Sequence, residues 1–140
     1  MARNVSVVVV NASRQRVWET LTSPELVKRW QYGSELRTDW SVGSEIRFTT
    51  LWDGKVFEQW GRVLEVVPNE LARYSLFAPR PDLEDRPENY FTMQYRLSDA
   101  NGMTRLEIAQ EDNRPDAVQE ALQDEENPVL KMLKEVAESA

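Results

Sequence analysis

The carboxylates are the first residues whose type and spacing would do chemistry. Glu107, Glu111 and Asp112 lie close together, and Asp82, Glu84, Asp85 and Glu88 crowd one proline-rich stretch. An acid pair runs proton transfer when burial raises one of its pKa values, and an acidic cluster holds a divalent cation through its oxygens. The second group lacks the alternate-ligand spacing and central glycine of a calcium loop. With 24 acidic residues in 140, such clusters arise without a task, and a solvated surface is the favoured reading. The chain has no histidine and no cysteine. That removes the commonest general base, the commonest metal ligand and the commonest pH switch. It excludes Ser-His-Asp and Cys-His catalysis, disulfides and thiolate metal sites. No glycine-rich phosphate loop, nucleophile elbow or zinc spacing is present. No cofactor and no metal are therefore expected, and binding is favoured over catalysis.

Aromatic residues are the stronger signal. Five tryptophans, four tyrosines and four phenylalanines are concentrated between Trp18 and Tyr95. Trp40, Phe48, Trp52, Trp60, Tyr74, Tyr90 and Tyr95 would line a cavity shaped for a flat, apolar ligand, since pockets are apolar with a few placed polar groups. Any one of them alone reads more readily as ordinary core; the set as a whole favours a cavity. Trp18 and Trp30 read as core or cavity-rim packing. Arg47, Gln59, Arg62, Gln94, Arg96 and Gln110 sit on expected strands. A cavity-facing arginine would suit a carboxylate or phosphate on the ligand, but strand alternation is expected to send these side chains to solvent. Gln110 is the exception, sharing parity with Leu106 and Ile108. Gln110 and Leu133 complete the candidate ligand-binding set.

The net charge of -7 argues against nucleic acid, whose binding rests on phosphate neutralisation, and against anionic membranes. The opening MARNVSVVVV is too short for a signal core or a membrane span, so a cytoplasmic location is the default. Residues 1–140 are expected to form a single domain, with no repeat and no linker. The stretch Ala78 to Asn89, with three prolines, reads as a solvated loop.

The elements that must position these residues follow from period and punctuation. Asn4 to Val10 is β-branched and reads as a strand. Ser13 caps a helix carrying Val17 and Leu21, and Ser23-Pro24-Glu25 opens a second, closed by Gly33. Glu35 to Thr38 is a short strand. Glu45 to Trp52 places Ile46, Phe48, Thr50 and Trp52 on one face. Asp53-Gly54 is a hairpin turn into Lys55 to Val67, with a bulge near Gly61. Leu71 to Phe77 follows. Tyr90 to Ser98 and Thr104 to Asp112 are joined by Asn101-Gly102. Pro115 is expected to open a short helix with Ala117/Ala121 and Val118/Leu122 pairs. Asn127-Pro128 opens the last helix, whose stripe of Val129, Leu130, Leu133, Val136 and Ala137 needs a partner surface.

VWETLTSPELVKRW (Val17 to Trp30), TDWSVGSEIRF (Thr38 to Phe48), WDGKVFEQWGRVLEVVPNELARYS (Trp52 to Ser75), RPENYFTMQYRL (Arg86 to Leu97) and TRLEIAQEDN (Thr104 to Asn113) resemble the branch of the START-related superfamily that is similar to the activator of the heat-shock-protein-90 ATPase. The resemblance runs from about Ser6 to Ala137. It implies an α+β helix-grip fold of order β-α-α-β6-α, with a curved antiparallel sheet wrapped around a long C-terminal helix. It implies a small hydrophobic partner molecule bound between sheet and helix. A cyclase- or hydrolase-like enzyme acting on an aromatic or polyketide-like substrate is the alternative, and a chaperone-ATPase-associated regulator a further one, with no motif here to carry a chaperone contact. A monomer and a homodimer are both compatible. Gly43, Asp53-Gly54, Gly61 and Pro68 match the family as structural positions. Pro128 departs from it, since relatives often carry an aromatic residue there, which leaves open how the last helix begins and packs.

Overall fold

A computed structural model describes residues 2–31, 33–114, 117–122, 124 and 127–139, and the backbone alone of Trp52. The order is β1 (Ala2–Val10), α1 (Arg14–Thr22), α2 (Pro24–Trp30), β2 (Glu35–Arg37), β3 (Glu45–Trp52), β4 (Lys55–Val67), β5 (Leu71–Leu76), a 3-10 turn (Pro87–Asn89), β6 (Phe91–Ala100), β7 (Met103–Asp112) and α3 (Pro128–Glu138). The strands form one antiparallel sheet in the order β1-β7-β6-β5-β4-β3-β2. This is the helix-grip arrangement of an α+β domain.

Two-residue turns pin the register. Asp53 (φ 51°) with Gly54 (φ 72°), and Asn101 (φ 52°) with Gly102 (φ 85°), both adopt the left-handed conformation that two-residue hairpins require. Leu51 therefore pairs Val56, Phe48 pairs Gln59 and Arg47 pairs Trp60 across β3 and β4. Because side chains alternate, that register sends Phe48 and Gln59 to the concave face and Arg47 and Trp60 to the convex one. The sheet bends where β4 meets β5. The register shifts between Val63 and Glu65, a few residues past the expected bulge at Gly61, and Arg62 N–H bonds the Ser75 side chain at 3.1 Å.

α3 rests on α1, α2 and β1. Leu130, Leu133, Val136 and Ala137 are buried beneath it. Asn127 caps its first turn by accepting from Val129 N–H at 2.9 Å, and Pro128 occupies the first turn, where its missing N–H costs nothing; the helix starts cleanly there. Its C-terminal carbonyls are held by a cation, as the helix dipole favours: Arg16 donates to Ala137 O at 3.1 Å and Val136 O at 2.9 Å. Glu138 is tied to the turn after β1 by accepting from Asn11 N–H at 2.7 Å. Burial would raise the Glu138 pKa, but the Asn11 N–H and Lys134 outweigh it, and the carboxyl is held low.

The short helix expected after Pro115 does not form over residues 117–122, which carry no regular structure; Pro115 itself lies outside the described residues. Val118 and Leu122 are 69% and 68% exposed, so the i,i+4 pairs have no surface to bury. The segment instead bonds the start of the free edge of β1, at Arg3 and Asn4. Gln119 accepts from Arg3 N–H at 2.9 Å and donates to Arg3 O at 2.6 Å, while Asn4 bonds Val118 O and Glu120 N–H. Unpaired strand edges invite foreign strands, and the start of this one is occupied.

Where β7 ends, Asp112 is buried and accepts a two-pronged bond from Arg114 at 2.9 and 2.6 Å, with the guanidinium 4.6 Å from the Phe91 ring centre. The Arg114 bonds hold the Asp112 carboxyl below its usual pKa. A depressed folded-state pKa contributes stability above the unfolded value, and that stability is lost as pH falls through the folded one. Unfolding measured against pH should therefore show a loss beginning below about pH 4. Asp112→Asn should be about 1–2 kcal/mol less stable at pH 7 with a flatter acid limb. An unchanged acid limb in the variant would remove Asp112 from that role.

A candidate ligand cavity between sheet and helix

The concave face is built by alternation. Phe48 and Thr50 of β3, Phe57 and Gln59 of β4, Tyr74 and Leu76 of β5, Phe91, Met93 and Tyr95 of β6, and Ile108 and Gln110 of β7 all point inward. With Ser6 of β1, Trp30 at the end of α2, Gln31 and Ser34 after it, and Asn127, Val129 and Leu130 at the start of α3, they border a cavity of about 520 Å³. It lies between the first turn of α3 and strands β3 to β7. That volume is in the range of small-molecule pockets.

The floor is a stack of aromatic rings. Tyr74 and Tyr95 are 2% and 3% exposed, their hydroxyls are 2.6 Å apart, and their rings meet edge-on at 5.6 Å. Phe48 packs on Tyr74 at 5.9 Å. Trp40 also meets Tyr74 edge-on, at 6.1 Å. Desolvation pushes both phenols up, Tyr74 well above its usual value and Tyr95 to about 12, so both are protonated at neutral pH. The wall on the α2 side is fixed by indoles. Trp30 Nε1–H donates to Thr20 O at 2.7 Å and Trp40 Nε1–H to Thr22 O at 3.1 Å. Both acceptors belong to the last turn of α1, whose carbonyls lack helical partners. Trp40 keeps this position with a φ of 60°, a left-handed conformation that is costly for a bulky residue.

Among the described residues, no Asp, Glu, Lys or Arg side chain borders the cavity. Arg47 lies on the convex face, bonded to Glu58 at 2.6 Å and 5.2 Å from the Trp60 ring centre; Arg62 reaches Gly43 O at 3.1 Å. An arginine fork for an anionic ligand is thus not assembled.

Of the expected ligand-binding residues, Phe48, Tyr74, Tyr95 and Gln110 border the cavity. Trp40 sits behind Tyr74. Leu133 is fully buried beneath α3. Trp60 and Tyr90 lie on the convex side, where Trp60 Nε1–H and the Tyr90 hydroxyl both donate to Asp85, at 3.0 and 2.6 Å. Desolvation first, then Asp85, raises the Tyr90 pKa. Asp85 thereby pins the 78–90 loop to the sheet, a structural task for one of the loop acids. The Trp52 side chain lies outside the described residues. The candidate set, weighted to aromatics, left out Met93, Ile108, Val129 and Leu130, although Met93 and Ile108 share parity with Tyr95 and Gln110. Gln59, expected to face solvent, borders the cavity instead, and so does Phe57, an aromatic left out of the candidate set; the Asp53-Gly54 turn places them opposite Phe48 and Thr50.

Comparison with known proteins agrees with this fold. The family model for the Activator of Hsp90 ATPase homolog 1-like protein matches residues 11–138. The solution structure of ChR145 from Cytophaga hutchinsonii is 30% identical, with a TM-score of 0.69 over 83% of this chain and 80% of that one. The Aha1 dimer from Colwellia psychrerythraea is 16% identical, with a TM-score of 0.62 over 84% and 81%. Ara h 8.0201 is 11% identical, with a TM-score of 0.71 over 99% and 98%. These last two show a shared fold. No curated protein matches the sequence.

Proposed function

Because the chain belongs to the Activator of Hsp90 ATPase homolog 1-like family and its sheet and last helix border a pocket, we propose that it binds a small, neutral, apolar or aromatic molecule there. The observation that carries this reading is the cavity of about 520 Å³ with an aromatic floor and no charged side chain on its border among the described residues. Apolar walls with a few hydroxyl and amide groups suit such a ligand. A buried anion would need a cation that the border does not supply. The enzymatic alternative gains little from this lining. Its ionisable groups are phenols that stay protonated, able to donate a proton but not to take one at neutral pH. No observation on this chain favours the chaperone-linked reading. Among the described residues, no helix is long and apolar enough to cross a membrane.

N-phenyl-1-naphthylamine, neutral and fluorescent only in apolar surroundings, tests the proposal. It should brighten on titration, saturate at one equivalent, and raise the unfolding temperature. At free probe about 100 times Kd the stabilisation is about 2.7 kcal/mol, roughly 5–10 °C for a domain of this size. Leu130→Trp, which pushes an indole into the cavity mouth, should weaken the signal at least about tenfold. Non-saturable brightening with no thermal shift would overturn the proposal.

A further inference from the structure

The two phenols on the cavity floor leave one proton over. Their oxygens share a single hydrogen bond of 2.6 Å, in which either is the donor. Each hydroxyl carries one proton, so one O–H is spent on its neighbour and the second has no acceptor among the described residues. Both side chains are more than nine-tenths buried, and both border the cavity. Of the other polar groups nearby, Ser34 and Thr50 are bonded to each other. Ser34 Oγ lies 2.8 Å from Gln31 O, to which it donates, and 2.7 Å from Thr50 Oγ1, from which it then accepts. The Trp30 and Trp40 indoles are spent on α1.

Resting on the cavity reading above, we propose that the Tyr74–Tyr95 hydroxyl pair selects the ligand: a flat, neutral molecule with a carbonyl-type oxygen at the end that reaches the floor. The donor is preorganised. Phe48 and Trp40 both pack against the Tyr74 ring, and Tyr95 bonds its hydroxyl. A phenol that already accepts a hydrogen bond donates more strongly through it. Burial keeps both groups protonated, which is the form that donates. A ligand without an acceptor leaves that proton buried and unpaired, a penalty that separates analogues of one shape. A carboxylate would meet the donor but bring a charge with no cation beside it.

Three naphthalenes of similar size test this by calorimetry and thermal shift: 2-acetylnaphthalene, 2-ethylnaphthalene and 2-naphthoate. Transfer from water alone favours the ethyl compound. The expected result reverses that order, with the ketone binding about tenfold tighter than the ethyl compound and the naphthoate weakest. Tyr74→Phe with Tyr95→Phe removes both partners together, which leaves no orphaned group and costs little stability. In that double variant the ethyl compound should still bind and the ketone should lose its advantage. Ethyl binding equal to or tighter than ketone binding in the unmodified protein would overturn the acceptor proposal and leave the cavity reading standing. So would a double variant that keeps the ketone preference, or naphthoate binding best. Failure of all three ligands to bind would overturn both.

Discussion

Gly61→Ala is expected to lower stability by about 3–5 kcal/mol, roughly 10–20 °C in unfolding temperature, the largest loss from a Cβ added at any glycine of this chain. The reason is the bend in the sheet. A Cβ on Gly61 would lie well inside van der Waals contact with the Ser75 carbonyl oxygen and 2.5 Å from its carbon. Those are backbone atoms of β5, so no side chain can swing aside. Relief would require β4 to lift away from β5 where the strand passes from the β3 pairing to the β5 pairing. Gly54→Ala is the control. Nothing lies within 4 Å of its added Cβ, and only the left-handed φ of 72° opposes it, a cost of about 1 kcal/mol. Thermal and urea unfolding of the two variants should therefore separate clearly. Equal losses would mean that β4 and β5 do not press together at Gly61.

Leu133→Ala should cost about 3–4 kcal/mol. Leu133 has no exposed surface and belongs to the core cluster with Val8, Val17, Val27 and Leu106. α3 is held by that apolar stripe and by contacts near its ends, the Asn127 cap and the Arg16 and Glu138 bonds. Removing the central side chain leaves a void that the anchored helix cannot collapse to fill. Met132→Ala, on the outer face at 38% exposure, is the comparison and should cost under about 1 kcal/mol. Chemical denaturation reads the difference. A loss at Leu133 as small as that at Met132 would mean that α3 is not seated on the core as described.

Much of this architecture was legible before any coordinates. Asp53-Gly54 and Asn101-Gly102 marked turns that require positive φ, and both adopt it. Asn127-Pro128 marked the start of α3, and Ile46, Phe48 and Thr50 share the inner face by alternation alone. The cavity border was harder to read because chemistry stood in for geometry. Trp60 and Tyr90 look like pocket residues by type, but register places them on the convex face. The hairpin turn held that information: a two-residue loop sets Arg47 against Trp60 and Phe48 against Gln59. The Tyr74–Tyr95 bond was out of reach, since it depends on β5 and β6 pairing Tyr74 with Met93 and Ala72 with Tyr95, so that the two phenols meet on the diagonal. The residues after Asp112 misled for a different reason. Their helical spacing is real, but with Val118 and Leu122 exposed no burial rewarded a helix, and bonds to the β1 edge competed for the backbone.

The account stands on usable space between the sheet and α3. Its most direct test is an isotope-filtered NMR titration of protein labelled at Met, Ile, Leu and Val methyls with 2-acetylnaphthalene. Saturating shifts at one equivalent are predicted, with naphthyl NOEs to the methyls of Met93, Ile108, Val129 and Leu130. NOEs confined to the exposed Leu51 and Val56 methyls, or none at saturating ligand, would contradict it.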